Sequence, residues 1–210
     1  MTTSSTPVGA VAGHPEIGRE IDTLDTPSLI LRYRRGVENF DPRLFDLDDG
    51  QLDTAFLPDS GVGRWPVRVL LGHLADAELV MTFRIRRLLA EDNPVIAVWD
   101  EMAFADSPLY TPDLRQPVAG FIAAIHTLRR WTTELLMSLS PEQWSRPAMH
   151  PERGRITLRD VVVGTTWHLE HHNVYLQAKI DRFLGPRAEC PPEQQTRTPC
   201  GPSCGCHGKS

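Results

Sequence analysis

The sequence predicts an all-α protein: a four-helix bundle with a crossover segment that lids one end and a flexible tail at each terminus. Four long segments place apolar residues at alternating steps of three and four, the spacing that puts them on one face of a helix. No comparable run has the alternation of a strand. At 210 residues, the chain can form one domain with a sizeable core. We expect a flexible arm over residues 1–25, the bundle over residues 26–185 and a flexible cysteine-rich tail over residues 186–210.

The composition argues against nucleic acid or a membrane as the partner. The net charge is −5 and the basic residues form no stripe, whereas nucleic-acid-binding proteins concentrate positive charge. The N-terminal residues lack the basic region and apolar run of a signal peptide, and no segment has the length and hydrophobicity of a membrane span. All four cysteines follow Gly185, so the bundle uses no disulfide. We therefore expect a cytoplasmic protein.

The first half of the chain contains two of the four helices. The first helix is expected to begin at Thr26, because a proline follows in its first turn, and to end before Pro42. A short helical turn is expected over residues 46–56. The second long helix is expected to begin at Pro66 and to run to about Glu91.

The inner stripe of this second helix contains two polar residues. His73 is a candidate metal ligand. Arg84, eleven residues later, faces the same way and requires either an acidic partner or an anionic ligand. The acidic candidates are Asp100 and Glu101. The full stripe is Leu70, His73, Ala77, Val80, Arg84 and Leu88.

The crossover and the third helix occupy the middle of the chain. The crossover is expected over residues 93–112, which contain three prolines. The third helix is expected over residues 113–139, with His126 beside its apolar seam in a structural or exposed position. Residues 148–158 are expected to form a short hairpin or an ordered loop, in which His150 is a loop residue rather than a ligand.

The last helix has the most informative pattern. It is expected to begin after Thr157, with Asp160 in its first turn, and to run to Phe183, before a stop at Gly185. Two histidines four residues apart lie on its inner stripe, where both rings can bind a single ion. The stripe is Val161, Thr165, His168, His172 and Tyr175.

A pair of histidines is not yet a metal site. Zinc-like ions take three protein ligands plus an open position, or four ligands in a structural site, and His73 is the candidate for the third. The alternative is a pair of structural histidines, although each buried ring then has two nitrogens that need partners. His171 lies about 60° from His168 on the helical wheel, so it could replace either member of the pair.

Several short blocks together resemble the DinB/YfiT-like superfamily, and within it the YfiT-type branch. They lie between Leu52 and Phe183 and keep their order along the chain. The blocks are LGHLADAELVMTFRIRRLLAEDNPVI, WDEMAFAD, HTLRRW, SPEQW, MHPERG and WHLEHH. The first helix matches more weakly, and the cysteine-rich tail is not a usual part of the family pattern.

This resemblance implies a bundle whose metal is held by three histidines, one on the second helix and two in an HxxxH pair on the last. The implied ligands are His73, His168 and His172, which leaves His171 outside the site. The resemblance also implies a homodimer. Branches of the superfamily include bacillithiol S-transferases and mycothiol-dependent maleylpyruvate isomerase, and other members are described as metal-dependent hydrolases.

Our leading hypothesis is a metal-dependent transferase that joins a low-molecular-weight thiol to an electrophilic small molecule. Three neutral imidazoles suit zinc or nickel and leave one position of the ion open. A thiol bound there loses its proton, because the metal stabilises the thiolate. Arg84 is then a candidate for binding a carboxylate of the thiol, and its alternative role is a structural ion pair.

Two other functions remain open. The first is hydrolysis by a metal-bound water, for which Asp76 and Glu170 are close in sequence to the ligands but lie off the inner stripe. The second is a non-catalytic role in which the tail binds metal or senses metal or redox state, unless its thiols are incidental. The candidate ligands of the tail are Cys200, Cys204, Cys206 and His207.

Overall fold

The computed structural model describes residues 14–114 and 116–187, which fold as an all-α four-helix bundle and confirm the predicted fold class. The described α-helices are α1 (Pro15–Asp22), α2 (Thr26–Arg34), α3 (Asp49–Leu52), α4 (Val67–Ala90), α5 (Glu101–Asp106), α6 (Val118–Met137), α7 (Pro141–Trp144) and α8 (Leu158–Leu184). Two antiparallel strands, β1 (Pro147–His150) and β2 (Gly154–Thr157), form a hairpin before α8. None of the described helices has the length and apolar character needed to cross a membrane.

The bundle is built from α2, α4, α6 and α8. Helix α4 packs against both α6 and α8, and α2 packs against the same two helices. Helices α2 and α4 therefore lie across one diagonal of the bundle, and α6 and α8 lie across the other. The inner faces of α4 and α8 meet directly, which brings their polar residues together in the interior.

The two helices that carry the candidate ligands begin and end close to the predicted residues. Helix α4 starts directly after Pro66 and ends one residue before Glu91. At the start of α8, Thr157 and Asp160 form a capping box, in which each side chain accepts a hydrogen bond from the backbone N–H of the other. Gly185 follows the helix with a φ of 80°, a left-handed value that favours glycine. Local capping chemistry thus sets the start of α8, whereas α4 begins after a proline without a side-chain cap.

The N-terminal region differs from the prediction. Residues 1–25 were expected to form a loose arm, but α1 forms within them and packs on α8, with Ile21 fully buried. Residues 1–13 and 188–210 lie outside the described part of the chain. The predicted tail site at Cys200, Cys204, Cys206 and His207 falls in the second of these ranges.

The first bundle helix is also shorter than predicted. It ends at Arg34, and a 3-10 turn, Gly36–Asn39, follows it. Just after this end the backbone lies close to neighbouring side chains: a Cβ at Gly36 would overlap Leu169 and the guanidinium of Arg129. Glycine is a poor helix former, and here it lets α8 and α6 come close to the chain.

A buried ion pair lies at the centre of the bundle. The side chains of Glu78 and Arg129 are only 2% and 1% exposed. Arg129 donates to Glu78 Oε2 (2.8 Å), to the backbone oxygen of Tyr33 (2.7 Å) and to that of Thr165 (3.0 Å). The Tyr33 hydroxyl donates to Glu78 Oε1 (2.6 Å). These bonds join α2, α4, α6 and α8, and none of the four residues was assigned this role from the sequence.

The crossover is held against the hairpin. The backbone N–H of Ile96 donates to the oxygen of Met149 (2.8 Å), and the N–H of Met149 donates to the oxygen of Pro94 (2.9 Å). Further along, the Tyr110 hydroxyl donates to Asp76 of α4. The crossover, the hairpin and α4 therefore form one wall around the interior of the bundle.

We expect Arg129→Met to lower the free energy of unfolding by about 3–5 kcal/mol, because it leaves the buried Glu78 carboxylate without its cation. Chemical denaturation followed by circular dichroism measures this change. Arg130→Gln is the matched control, since Arg130 is the exposed neighbour on the same helix. A loss no larger in Arg129→Met than in the control would contradict the central role of the pair.

Candidate metal centre

Three histidines from two helices meet inside the bundle. His73 comes from α4, and His168 and His172 come from α8. One ring nitrogen from each lies within 4.8 Å of the others, and the Nε2 atoms of His73 and His168 are 3.1 Å apart. In a tetrahedral site with Zn–N bonds of about 2.0–2.1 Å, adjacent ligand nitrogens are about 3.3 Å apart. The separation of the His73 and His168 nitrogens therefore fits two ligands of one ion, and a nitrogen of His172 lies within 4.8 Å of both.

Helical spacing and helix packing together explain this convergence. His168 and His172 are one turn apart, and their ring centroids are separated by 4.6 Å. The ring of His73 lies 5.0 Å from the first and 4.9 Å from the second. Because α4 packs directly on α8, a histidine on the facing stripe closes the triangle.

Two indole rings enclose the ring of His73. Trp99 stacks on it nearly parallel, with centroids 5.5 Å apart and planes at 11°. Trp65 lies 4.9 Å from His73 and stacks on His172 at 6.1 Å. These rings restrict the orientation of the imidazoles and limit the access of water to the cluster. Neither tryptophan was assigned a role in the site from the sequence.

The environment keeps the three imidazoles neutral. Burial lowers the pKa of His73 to about 4. Burial, followed by repulsion from the neighbouring histidines, also holds the pKa of His168 and of His172 well below the usual value. Neutral imidazole is the form that binds metals, so this donor set fits a divalent ion. The assignment of the three residues as ligands remains a prediction.

A cavity of about 540 Å³ adjoins the cluster. His168 and His172 lie on its wall, and Arg84 lines it as well. Arg84 donates to the backbone oxygen of Ala97 (2.8 Å). It forms no ion pair with Asp100 or Glu101, although both acids line the same cavity. The structural ion pair considered from the sequence is therefore wrong.

The remaining histidines that the structure describes lie outside the cluster. His171 stacks on Trp167, with centroids 4.8 Å apart and planes at 13°, and contacts Tyr175 edge-on. His126 is half-buried on α6. His150 corrects the expectation of a loop residue: it ends β1, is buried and lines the cavity.

The two carboxylates considered as general bases are engaged elsewhere. Asp76 accepts a hydrogen bond from Tyr110. Glu170 accepts two bonds of 2.8 Å from the guanidinium of Arg32. Neither residue lines the cavity, in keeping with their positions off the inner stripes. A base for a metal-bound water has to come from another residue.

The fold and the site together define the class of protein: a four-helix bundle with a candidate metal centre of three inward histidines beside an open cavity. The sequence comparison identifies the family within this class. The model of the DinB superfamily matches residues 32–176, and the chain belongs to this superfamily.

The relatives of this chain include proteins named as candidate metal-dependent hydrolases. One from Oceanobacillus iheyensis is 32% identical over 139 residues, which are 66% of this chain and 76% of that protein. Another, from Bacillus pumilus, is 33% identical over 140 residues, covering 65% and 74% of the two chains. The solved structure of YfiT from Bacillus subtilis matches with a TM-score of 0.65 and 26% identity over 76% of this chain and 87% of that one. YfiT is described as a candidate metal-dependent hydrolase with an unusual four-helix bundle topology.

We expect the bundle to bind about one divalent ion per chain and the double variant His168→Ala/His172→Ala to lose it, because one imidazole alone cannot hold the ion tightly. Mass spectrometry of metal content on the chain truncated after Gly185 tests this without a contribution from the tail cysteines. His126→Ala is the control. An empty bundle that takes up neither added zinc nor added nickel would rule out the metal centre.

Proposed function

We propose that this chain is a metal-dependent enzyme that transfers a low-molecular-weight thiol to an electrophilic small molecule. The observation that carries the proposal is the position of the histidine cluster. Three neutral imidazoles converge, and two of them, His168 and His172, lie on the wall of a cavity large enough for small organic molecules.

The chemistry follows from the charge of the donor set. Neutral ligands would leave the full charge of a divalent ion available, and such an ion, held by His73, His168 and His172, would lower the pKa of a bound thiol toward neutrality. The sulfur would form a bond to carbon of the electrophile and the thiol proton would pass to solvent. A halide would leave with its electron pair, whereas the alkoxide of an opened epoxide or the carbanion of an alkene adduct would take up a proton from solvent. The protein contributes orientation through its three imidazoles, while Trp65 and Trp99 limit water near the reacting atoms.

Hydrolysis is the second candidate, and one residue favours it. Glu101 lines the cavity, and partial burial raises the pKa of its carboxyl against the opposing effect of Arg153. A carboxyl with a raised pKa is suited to general acid–base chemistry, and the same ion would activate water. The names of the relatives point in this direction as well.

Several sequence-based expectations remain predictions. They are the identity of the ion as zinc or nickel, the homodimer, the cytoplasmic location and the binding of metal by the cysteine-rich tail. None of them is needed for the reaction proposed above. The tail role would be excluded by unchanged metal content and unchanged activity after truncation at Gly185.

We expect metal-loaded protein to consume thiol in the presence of an electrophile, and the double variant His168→Ala/His172→Ala to be slower by more than about a hundredfold, since the ion supplies several kcal/mol of stabilisation. The assay follows free thiol in a screen of thiols against alkyl halides, epoxides and activated alkenes. His126→Ala is again the control. Ester or amide hydrolysis without thiol consumption would replace the transferase with the hydrolase.

A further inference from the structure

A small side pocket opens from the main cavity between α4 and the hairpin. Its volume is about 30 Å³, and Arg84, His150 and Arg153 line both this pocket and the main cavity. A cavity of about 10–15 Å³ holds one water molecule. The side pocket therefore has room for the two oxygens of a carboxylate and little more.

Two guanidinium groups at this pocket form no hydrogen bond and no ion pair with an acid among the described residues, although the charge of Arg153 opposes the raised pKa of Glu101. Arg84 donates to the backbone oxygen of Ala97 and contacts the sulfur of Met81, which leaves several of its N–H groups available. Arg153 forms no hydrogen bond and no ion pair with any residue in the described part of the chain. Burial, followed by repulsion from Arg153, lowers the pKa of Arg84. An anion placed between the two side chains would relieve this repulsion.

His150 adds a third donor. The backbone N–H of Glu152 donates to its Nδ1 (3.2 Å), so the neutral ring carries its proton on Nε2. Burial, followed by repulsion from Arg153 and Arg84, lowers the pKa of His150. The neutral ring can therefore donate one hydrogen bond without adding another cation to the pocket.

The acids nearby do not fill this role. Asp160 lines the side pocket, but its carboxylate accepts two bonds of 2.8 Å from Thr157 in the capping box of α8. Asp100, Glu101 and Glu152 line the main cavity and not the side pocket. These three acids share the wall of the main cavity with Arg84, His150 and Arg153, but none of them forms an ion pair with either arginine in the described part of the chain.

We propose that Arg84, His150 and Arg153 form a subsite that binds a carboxylate of the small molecule entering the cavity. Guanidinium groups match the planar pair of carboxylate oxygens. The inference rests on the proposed function in that the same cavity must hold both this carboxylate and the reacting sulfur. The preferred thiol or its acceptor is thus an organic acid.

The test compares two thiols that differ only in the carboxylate. Full-length protein in which Cys190, Cys200, Cys204 and Cys206 are replaced by serine, so that the tail gives no cobalt–thiolate absorption of its own, is loaded with cobalt(II). It is titrated with N-acetylcysteine and with N-acetylcysteine amide, and binding is read from the cobalt–thiolate absorption band. We expect the acid to bind at least roughly tenfold more tightly than the amide, as for a charged hydrogen-bonded pair. The ratio of the two affinities should fall to about one in Arg84→Gln and in Arg153→Gln.

The matched control is Arg155→Gln, which alters an exposed arginine of the same hairpin that lines neither pocket. This variant should keep the preference for the acid.

The outcomes separate this inference from the proposed function. Equal affinity of the wild type for acid and amide, or an unchanged preference in both Arg84→Gln and Arg153→Gln, would overturn the subsite and leave thiol binding intact. If neither thiol gives the absorption band, the transferase proposal fails, and calorimetry with N-acetylalanine then tests the subsite alone. In that case, binding of N-acetylalanine that is lost in Arg153→Gln and kept in Arg155→Gln supports the subsite. If N-acetylalanine does not bind to the wild type, the subsite is overturned. Arg153 is exposed, so its replacement should leave the fold unchanged.

Discussion

The buried pair of Glu78 and Arg129 fixes how the helices of this bundle sit against each other. Removing two charges from water is costly, and the cost is offset only when every polar atom is well paired. Three nitrogens of Arg129 bond to three different helices, so a shift of any one of them leaves a buried group unsatisfied. Glu78 lies five residues after His73 on α4, and Thr165 lies three residues before His168 on α8. Each separation is less than about 8 Å along the helix axis. The same contacts that order the core thus hold the histidines in register.

The cavity has two chemically different regions. Its inner end presents neutral imidazoles beneath indole rings, and its side pocket presents guanidinium groups. Helix α4 contributes to both, because His73 and Arg84 share its inner stripe at a separation of about 16 Å along the axis. Side chains on a helix lean toward its N-terminus, so Arg84 extends toward the histidines. A ligand that occupies both regions must therefore have its acidic group and its reactive atom at the distance that separates the side pocket from the histidines.

The sequence was most informative where local rules determine the structure. Capping residues and apolar spacing predicted α4 and α8 to within a residue or two, and the four-residue spacing of His168 and His172 predicted the cluster. The apolar spacing did not identify Glu78 and Arg129 as buried, because charged residues beside an apolar seam usually face solvent. Helix α1 was missed because its stretch is largely polar. The close approach of Gly36 to Leu169 and Arg129 joins residues distant in sequence, and no local pattern reports such a contact.

The role of the hairpin and crossover depends on long-range pairing. This explains why His150 was wrongly predicted to be a loop residue and why the contacts of Trp65 and Trp99 were not predicted. The backbone bonds of Met149 to Pro94 and Ile96 dock the crossover on β1. Together with the bond from Arg84 of α4 to the backbone oxygen of Ala97, this contact places Trp99 on the ring of His73, and it leaves His150, the next residue of β1, at the side pocket. The hairpin therefore supports the proposed carboxylate subsite directly and the metal centre through Trp99. A displacement of the hairpin would alter the subsite and this side of the metal centre together.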